Sequence, residues 1–494
     1  MTTGLATFER GLAAHRAGRV SEAIEAYRAA VAKDPGLAPA QFNLGQLLRE
    51  QGDFAAAATA FERAAKLRPR AADAWLNAGI CRESLGDLDR ALECYREAAR
   101  LDPPSPVAEF NSGNVLRKLG DLPAARAAFA AAAEGAPDAA EVWLNLGNVD
   151  RELGHLDDAI ASLERAQSIR PDWPEPRWNL ALAYLASGRL ERGWEAYDAR
   201  WPRAGLSMQR GFPWPLWTGE NLAGKRLLVW REQGLGDEIL FATCVPDLVA
   251  LGAEVCLAVD PRLADLYRRA LPDVRVIEDG HWGEGPFDAH VPLGNLPGLL
   301  RRSRADFRPR WSYLVPAREQ VALWADRLRA TGSGFRVGIS WRSGLRSADR
   351  RRYYAELDQW GPVLSVPGVT FVNLQYDECE AELAEAEAAF GIRIHRWPQA
   401  DLREDLDGVA GLLWHLDLVV TAPTAVSSLA GAVGTETWQL DPGTDWTVFG
   451  EDRSPWLPAI RLFRRQAGQV SWSAAVGAVA EELTRRVADS APTS

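Results

Sequence analysis

A chain of 494 residues is longer than one hydrophobic core usually organises, so two or three domains are expected, and a hydrophobic fraction of 47% marks it as globular. The formal net charge of −11 argues against a general nucleic-acid binder. Five scattered cysteines, Cys81, Cys94, Cys244, Cys256 and Cys379, form no C-x-x-C pair and read as reduced core thiols rather than a zinc or redox site. The segment from Met1 to Ala14 lacks a long apolar run, and no later stretch reaches the length of a membrane span. A cytoplasmic protein without membrane insertion is therefore expected.

The first two hundred or so residues repeat. Glycine recurs every 34 residues at Gly18, Gly52, Gly86, Gly120, Gly154 and Gly188, and proline at the same spacing from Pro35 through Pro69, Pro103 and Pro137 to Pro171. In the same register stand Gly45, Gly79, Gly113 and Gly147, then Ala57, Ala91, Ala125 and Ala159, then aromatic residues at Tyr27, Phe61, Tyr95, Phe129 and Tyr197. Each unit reads as two antiparallel helices, the first ended by a glycine such as Gly52 and the second by a proline such as Pro69. One hairpin cannot bury its apolar stripe alone, so the units must stack. The pattern resembles the tetratricopeptide repeat (TPR), in six units over residues 1–200.

Within this array Asn43, Asn77, Asn111, Asn145 and Asn179 form a column on the first helices. An amide both donates and accepts, so Asn77, Asn111 and Asn145 are candidates for holding the backbone of an extended protein partner in the groove. The alternative is that asparagine serves packing or hydration at this position. The layout is similar to that of protein O-GlcNAc transferases, in which an asparagine ladder in a TPR groove precedes a glycosyltransferase.

Residues 201–224 break the helical period with Trp201, Pro202, Pro213, Trp214, Pro215 and Trp217, and read as an ordered junction in which the indoles cement the solenoid onto the next domain. From Lys225 strands and helices alternate, which predicts parallel sheets covered by helices. Expected strands are Arg226–Trp230, Glu254–Asp260 and Arg275–Glu278, then Phe335–Trp341, Val369–Leu374, Arg393–Trp397, Leu416–Thr421 and Glu436–Leu440. A helix over Arg318–Ala330 separates the two sets, giving two Rossmann-like lobes as in the GT-B fold. The expected divisions are an N-terminal lobe over 225–317, a linker over 318–334, a C-terminal donor-binding lobe over 335–470 and a terminal helix and tail over 471–494.

Three stretches carry chemistry. Gly234, Leu235, Gly236, Asp237 and Glu238 follow the first strand and open a helix expected to reach Leu251, so a substrate can approach the backbone beside Asp237; a helix-capping Asp is the alternative. Arg342, Arg346, Arg350, Arg351 and Arg352 follow the strand that ends at Trp341, and guanidinium forks match phosphate oxygens. The alternative is a solvated basic loop. Thr424, Ser427 and Ser428 stand at the start of a helix after Thr421, where free amides form an anion site. At the end of another strand, Gln375 is placed to touch the donor base or sugar, or else to face solvent; Trp446 and Trp456 fall in a loop before a final helix over Trp472–Arg486.

Together these stretches resemble the lipopolysaccharide heptosyltransferases over most of residues 217–485. The resemblance implies an inverting glycosyltransferase with Asp237 as general base, and donor contacts from Gly234, Gly236, Arg342, Gln375, Thr424, Ser427 and Ser428. It implies a nucleotide-sugar as substrate and no resident cofactor. No Asp-x-Asp metal motif stands at a strand end. The sequence departs from that pattern at Pro423, where the family has Asp, and at Ser428, where it has His. Soluble TPR-containing flagellin glycosyltransferases are similar in layout, so flagellin is an expected acceptor. A scaffold with a degenerate transferase half, or a transferase acting on a glycan or lipid, remains open on the sequence.

Overall fold

The computed structural model describes residues 3–203, 210–282, 285–308, 310–344, 354–466 and 471–490. The chain divides into two compact units, residues 1–153 with 161–171, and residues 154–160 with 172–494.

The helical array is a TPR solenoid. Its helices are α1 (Thr3–Arg16), α2 (Val20–Lys33), α3 (Ala38–Glu50), α4 (Phe54–Leu67), α5 (Ala72–Ser84), α6 (Leu88–Leu101), α7 (Pro106–Leu119), α8 (Leu122–Gly135), α9 (Ala140–Leu153), α10 (Leu156–Ile169), α11 (Pro174–Ala186) and α12 (Leu190–Tyr197). The repeating glycines have two separate causes. Gly52 sits at φ +80° just after α3, a conformation that costs a side chain strain. Gly45, inside α3, gives way to a ring: a Cβ there would stand 3.0 Å from Phe61 of α4. Gly79 and Gly113 likewise admit Tyr95 and Phe129, and all three aromatic residues are fully buried. The 34-residue spacing thus records one backbone-to-ring contact repeated from hairpin to hairpin.

The second unit holds the last hairpin, α11–α12, and two parallel sheets flanked by helices. The first sheet contains β1 (Arg226–Trp230), β2 (Glu254–Val259), β3 (Arg275–Glu278) and β4 (Ala289–Pro292), in the order β3-β2-β1-β4. The second contains β5 (Phe335–Ser340), β6 (Val369–Asn373), β7 (Ile394–His395), β8 (Leu418–Thr421), β9 (Thr437–Asp441) and β10 (Ile460–Arg464), in the order β10-β9-β8-β5-β6-β7. This is the two-lobed α/β arrangement that the alternation of strands and helices predicts.

Two strands, β4 and β10, were not expected. β4 has only four residues, and the charged Arg461 and Arg464 interrupt the apolar run of β10. The helix expected to run from the glycine loop to Leu251 is two helices, Leu235–Ala242 and Val245–Ala250. Pro246, which has no N–H to give to a preceding turn, stands in the first turn of the second. The final helix is Ser473–Ser490.

Aromatic rings tie the last hairpin to the sheets, as expected of the junction, but α12 supplies much of the contact. Trp194 donates its Nε1 proton to the Arg301 carbonyl at 3.1 Å, and its ring meets Trp446, Phe449 and Trp456 edge-on. Trp201 lies against Trp230, Trp214 against Phe287, and buried Trp217 bonds through its backbone N–H to the His290 carbonyl at 2.8 Å. Among the described residues no helix is long and apolar enough to cross a membrane.

In each sheet the chain turns both ways from a central strand, β1 between β2 and β4, and β5 between β6 and β8. Loops leaving the carboxyl ends of such strands diverge and leave a crevice, which is where open α/β sheets bind ligands.

Candidate functional site

The two crevice helices begin beside one another. Helix Leu235–Ala242 starts after Gly234 at the end of β1, and helix Ala425–Val433 starts after Thr424 at the end of β8. A Cβ on Gly236 would stand 3.3 Å from Ser428 Oγ, so a bare backbone is needed for this approach. Gly234 is different: its φ of −67° suits any residue, and a Cβ there would meet nothing within 4 Å. Open space, not strain, surrounds it. Free amides of two helix N-termini thus meet at this crevice, an arrangement that favours an anion.

Asp237 stands in the first turn of its helix, half-buried, and its carboxylate takes no hydrogen bond among the described residues. Burial, then the nearby carboxylates of Asp445 and Glu232, push its pKa up to about 7. A carboxyl group near half-ionisation at neutral pH can accept a proton from a hydroxyl and release it again.

Three residues on this side of the crevice were not assigned to the site from the sequence, although Tyr197 stood in the repeat register. Glu232, just past the end of β1, is raised by burial, against the pull of Arg200 and the Gly294 amide. Arg200, from the short helix Arg200–Arg203, donates to Glu232 Oε1 at 3.0 Å and also to Asn295 Oδ1. Tyr197, at the end of α12, accepts at its hydroxyl from Gln233 Nε2 at 3.3 Å. Burial pushes its phenol well above the usual range, with the Asp237 charge adding to the rise. The last repeat therefore helps build the wall of the crevice. The signal for Glu232 was present: Arg231, Glu232 and Gln233 are polar residues at the carboxyl end of a strand, where crevice groups lie. Nothing local marks Arg200, and the repeat register marks Tyr197 only as a packing aromatic.

On the other lobe a chain of hydrogen bonds orders the helix start. Ser427 donates through Oγ to Gln439 Oε1 at 2.6 Å, and Gln439 Nε2 donates to Asp445 Oδ2 at 2.9 Å. Asp445 Oδ1 accepts from the Thr447 backbone at 2.9 Å and from its hydroxyl at 2.6 Å. Asp441, fully buried beside Arg464, is raised by burial and by Asp445. Ser427 thus orders the loop that carries Asp445, while Ser428 faces Gly236. The Thr424 hydroxyl oxygen is buried and has no partner among the described residues.

Arg342 and Gln375 are committed inside the protein. The Arg342 guanidinium pairs with Asp377 and with Glu382 at 2.8 Å, and reaches the Glu378 carbonyl at 3.2 Å. Two carboxylates already neutralise it, so its charge is not free for a phosphate as the sequence suggested. Gln375, 2% exposed, accepts from the backbone of Trp341 and Arg342 and donates to the Arg342 carbonyl at 3.0 Å. It does not face solvent and its amide is already bonded; it latches the β5 and β6 loops together and forms part of the wall of the cavity beside them. Arg346, Arg350, Arg351 and Arg352 lie outside the described residues. Beside the latch, a cavity of about 370 Å³ opens near the ends of β6 and β7, lined by Tyr376, Trp397, Asn373, Arg396 and Asp401 among others.

The five column asparagines are half-buried, and three of them, Asn77, Asn145 and Asn179, bond the carbonyl four residues back on their own helix. Asn77 Nδ2 donates to the Asp73 carbonyl at 2.8 Å while Oδ1 accepts from Arg49 at 2.6 Å; Asn145 Nδ2 donates to the Glu141 carbonyl at 2.9 Å. Asn111 is half-buried on α7.

The tetratricopeptide repeat family model matches residues 3–38, 42–106 and 110–176. Protein FlbA of Caulobacter vibrioides is 39% identical over 321 residues, which cover 61% of this chain and 54% of FlbA. The chain therefore spans about half the length of this curated relative. Among solved structures, YrrB, a TPR protein with an unusual peptide-binding site, is 22% identical over 36% of this chain and 91% of its own, with a TM-score of 0.33. MamA is 25% identical over 32% of this chain and 91% of its own, with a TM-score of 0.31.

Proposed function

We propose that this protein transfers a sugar from a nucleotide-sugar to a hydroxyl of a protein acceptor recruited by its repeat array. The observation that carries the reading is Asp237, a half-buried carboxyl raised to about 7 at the meeting of two lobes. As general base it removes the acceptor proton while the hydroxyl oxygen attacks the anomeric carbon from the face opposite the nucleotide, inverting that carbon. The amides opening helix Ala425–Val433 and the Thr424 hydroxyl take up charge on the departing phosphate. The cavity lined by Tyr376 and Trp397 has the size and the aromatic side chains to seat a nucleoside. The acidic set of Glu232, Asp237, Asp441 and Asp445 keeps the leaving phosphate on the amide side of the crevice. Flagellin is the acceptor we favour, on the sequence resemblance.

The test is nucleotide release from UDP-, GDP-, dTDP-, ADP- and CMP-sugars by the purified chain, with and without candidate acceptor protein. Release with every donor at the buffer rate would sink the reading and leave a scaffold. Release together with an unmodified protein acceptor would move the acceptor to a glycan or lipid.

A further inference from the structure

A second cavity, of about 400 Å³, lies between α12 and the first lobe and is not used by the chemistry above. Its floor is apolar, built from Trp194, Tyr197, Trp217 and Leu299; its rim carries Glu191, Glu195 and Asp198 against one cation, Arg302. Arg302 pairs with Glu191 at 2.5 Å, and Asp198 accepts from Arg200 at 3.3 Å. Glu195 is exposed, and its carboxylate has no partner among the described residues. An unpaired carboxylate at the rim of an apolar floor matches a long cationic side chain, whose methylenes lie along the floor while the head group reaches the carboxylate.

The cavity also adjoins the reaction crevice. Gly294 lines it and gives its backbone N–H to Glu232 Oε2 at 3.4 Å. Asn295 lines it and holds Arg200. Tyr197 lines it and lies near enough to Asp237 for that carboxylate's charge to help hold the phenol protonated. We propose that this cavity seats a lysine or arginine side chain of the protein acceptor close to the modified hydroxyl, so that the last repeat selects the modification site. The proposal rests on the transferase reading for the role of the bound segment, while the binding itself needs no donor.

The experiment uses the full chain without donor and two fluorescein-labelled acetyl peptides, Ala-Ala-Lys-Ala-Ser-Ala-Ala and its norleucine analogue, followed by fluorescence polarisation. The lysine peptide should bind the parent about fivefold more tightly, the worth of one rim ion pair. Glu195→Lys should erase that preference, and Glu195→Gln reduce it, with melting temperature and water hydrolysis of the donor unchanged. Equal affinity of the two peptides for the parent, or a preference that survives Glu195→Lys, overturns the proposal. A chain that keeps the lysine preference but hydrolyses no nucleotide-sugar would lose the transferase reading and keep the cavity.

Discussion

Gly236 of the first lobe and Ser428 of the second stand so close that a Cβ on Gly236 would lie 3.3 Å from the Ser428 hydroxyl oxygen and 3.6 Å from Ala425 Cα. The helix carrying the proposed base and the helix offering its amides to a phosphate are thus held at a separation set by hydrogen atoms.

Gly236→Ala asks the serine side chain to yield by a few tenths of an ångström and should fold normally. Gly236→Val cannot be absorbed that way, and should lower turnover about tenfold or more by displacing the base from its near-attack position. Gly234→Ala, in open space, should leave the melting temperature unchanged. Turnover and melting curves of the three variants check this; a fully active valine variant would show that the contact does not set the geometry.

The pH dependence follows from Asp237. Turnover should fall about tenfold per pH unit below about 7 and level off above it, because only the ionised carboxylate accepts a proton. Asp237→Asn should lose that limb and about two to four orders of magnitude in rate. The stability sign runs the other way. A carboxyl whose folded pKa is raised costs nothing below its unfolded pKa near 4, and destabilises progressively as pH rises towards 7. The Asn variant should therefore melt at or above the parent temperature at pH 8, and the two should converge near pH 4.

Arg342→Ala and Thr424→Val separate structure from ligand contact. Removing the buried guanidinium leaves Asp377 and Glu382 facing one another, and should cost about 2–3 kcal/mol in a denaturant titration. Thr424→Val removes a buried hydroxyl oxygen that has no partner among the described residues, so stability should hold or rise. Donor affinity should fall about fivefold in calorimetry, the loss of one hydrogen bond. A wild-type affinity in the valine variant would remove Thr424 from the donor site.

The bonds that Asn77 and Asn145 make to their own helices bear on what their replacement does. Replacing Asn77, Asn111 and Asn145 together with Ala should weaken binding of a protein acceptor by one to three orders of magnitude, at roughly 0.5–1.5 kcal/mol per lost bond. Each amide must first exchange its bond to its own helix, so the lower part of that range is expected for Asn77 and Asn145. Alanine favours helix, and the solenoid should stay folded except for the loss of the Arg49–Asn77 bond. Acceptor pull-down and melting temperature on the triple variant decide between binding and packing.

The repeat half was legible because its determinants are local: the glycine that yields to an aromatic ring lies 16 residues before it, as Gly45 does before Phe61, and the contact recurs each period. Most strands were legible too, since apolar runs bounded by turns state their own period. What the sequence left undetermined is which charges are spent. Arg342 and Gln375 read as ligand groups at strand ends, yet Asp377 and Glu382, some 35 and 40 residues away, consume the one, and the β5 loop consumes the other. Only the tertiary structure brought the neighbouring Tyr197 and Arg200 to Glu232 and placed Asp445 near Asp237. Electrostatic neighbourhood depends on distance in space, not along the chain, and it is that neighbourhood which raises the Asp237 carboxyl to the range where a general base operates.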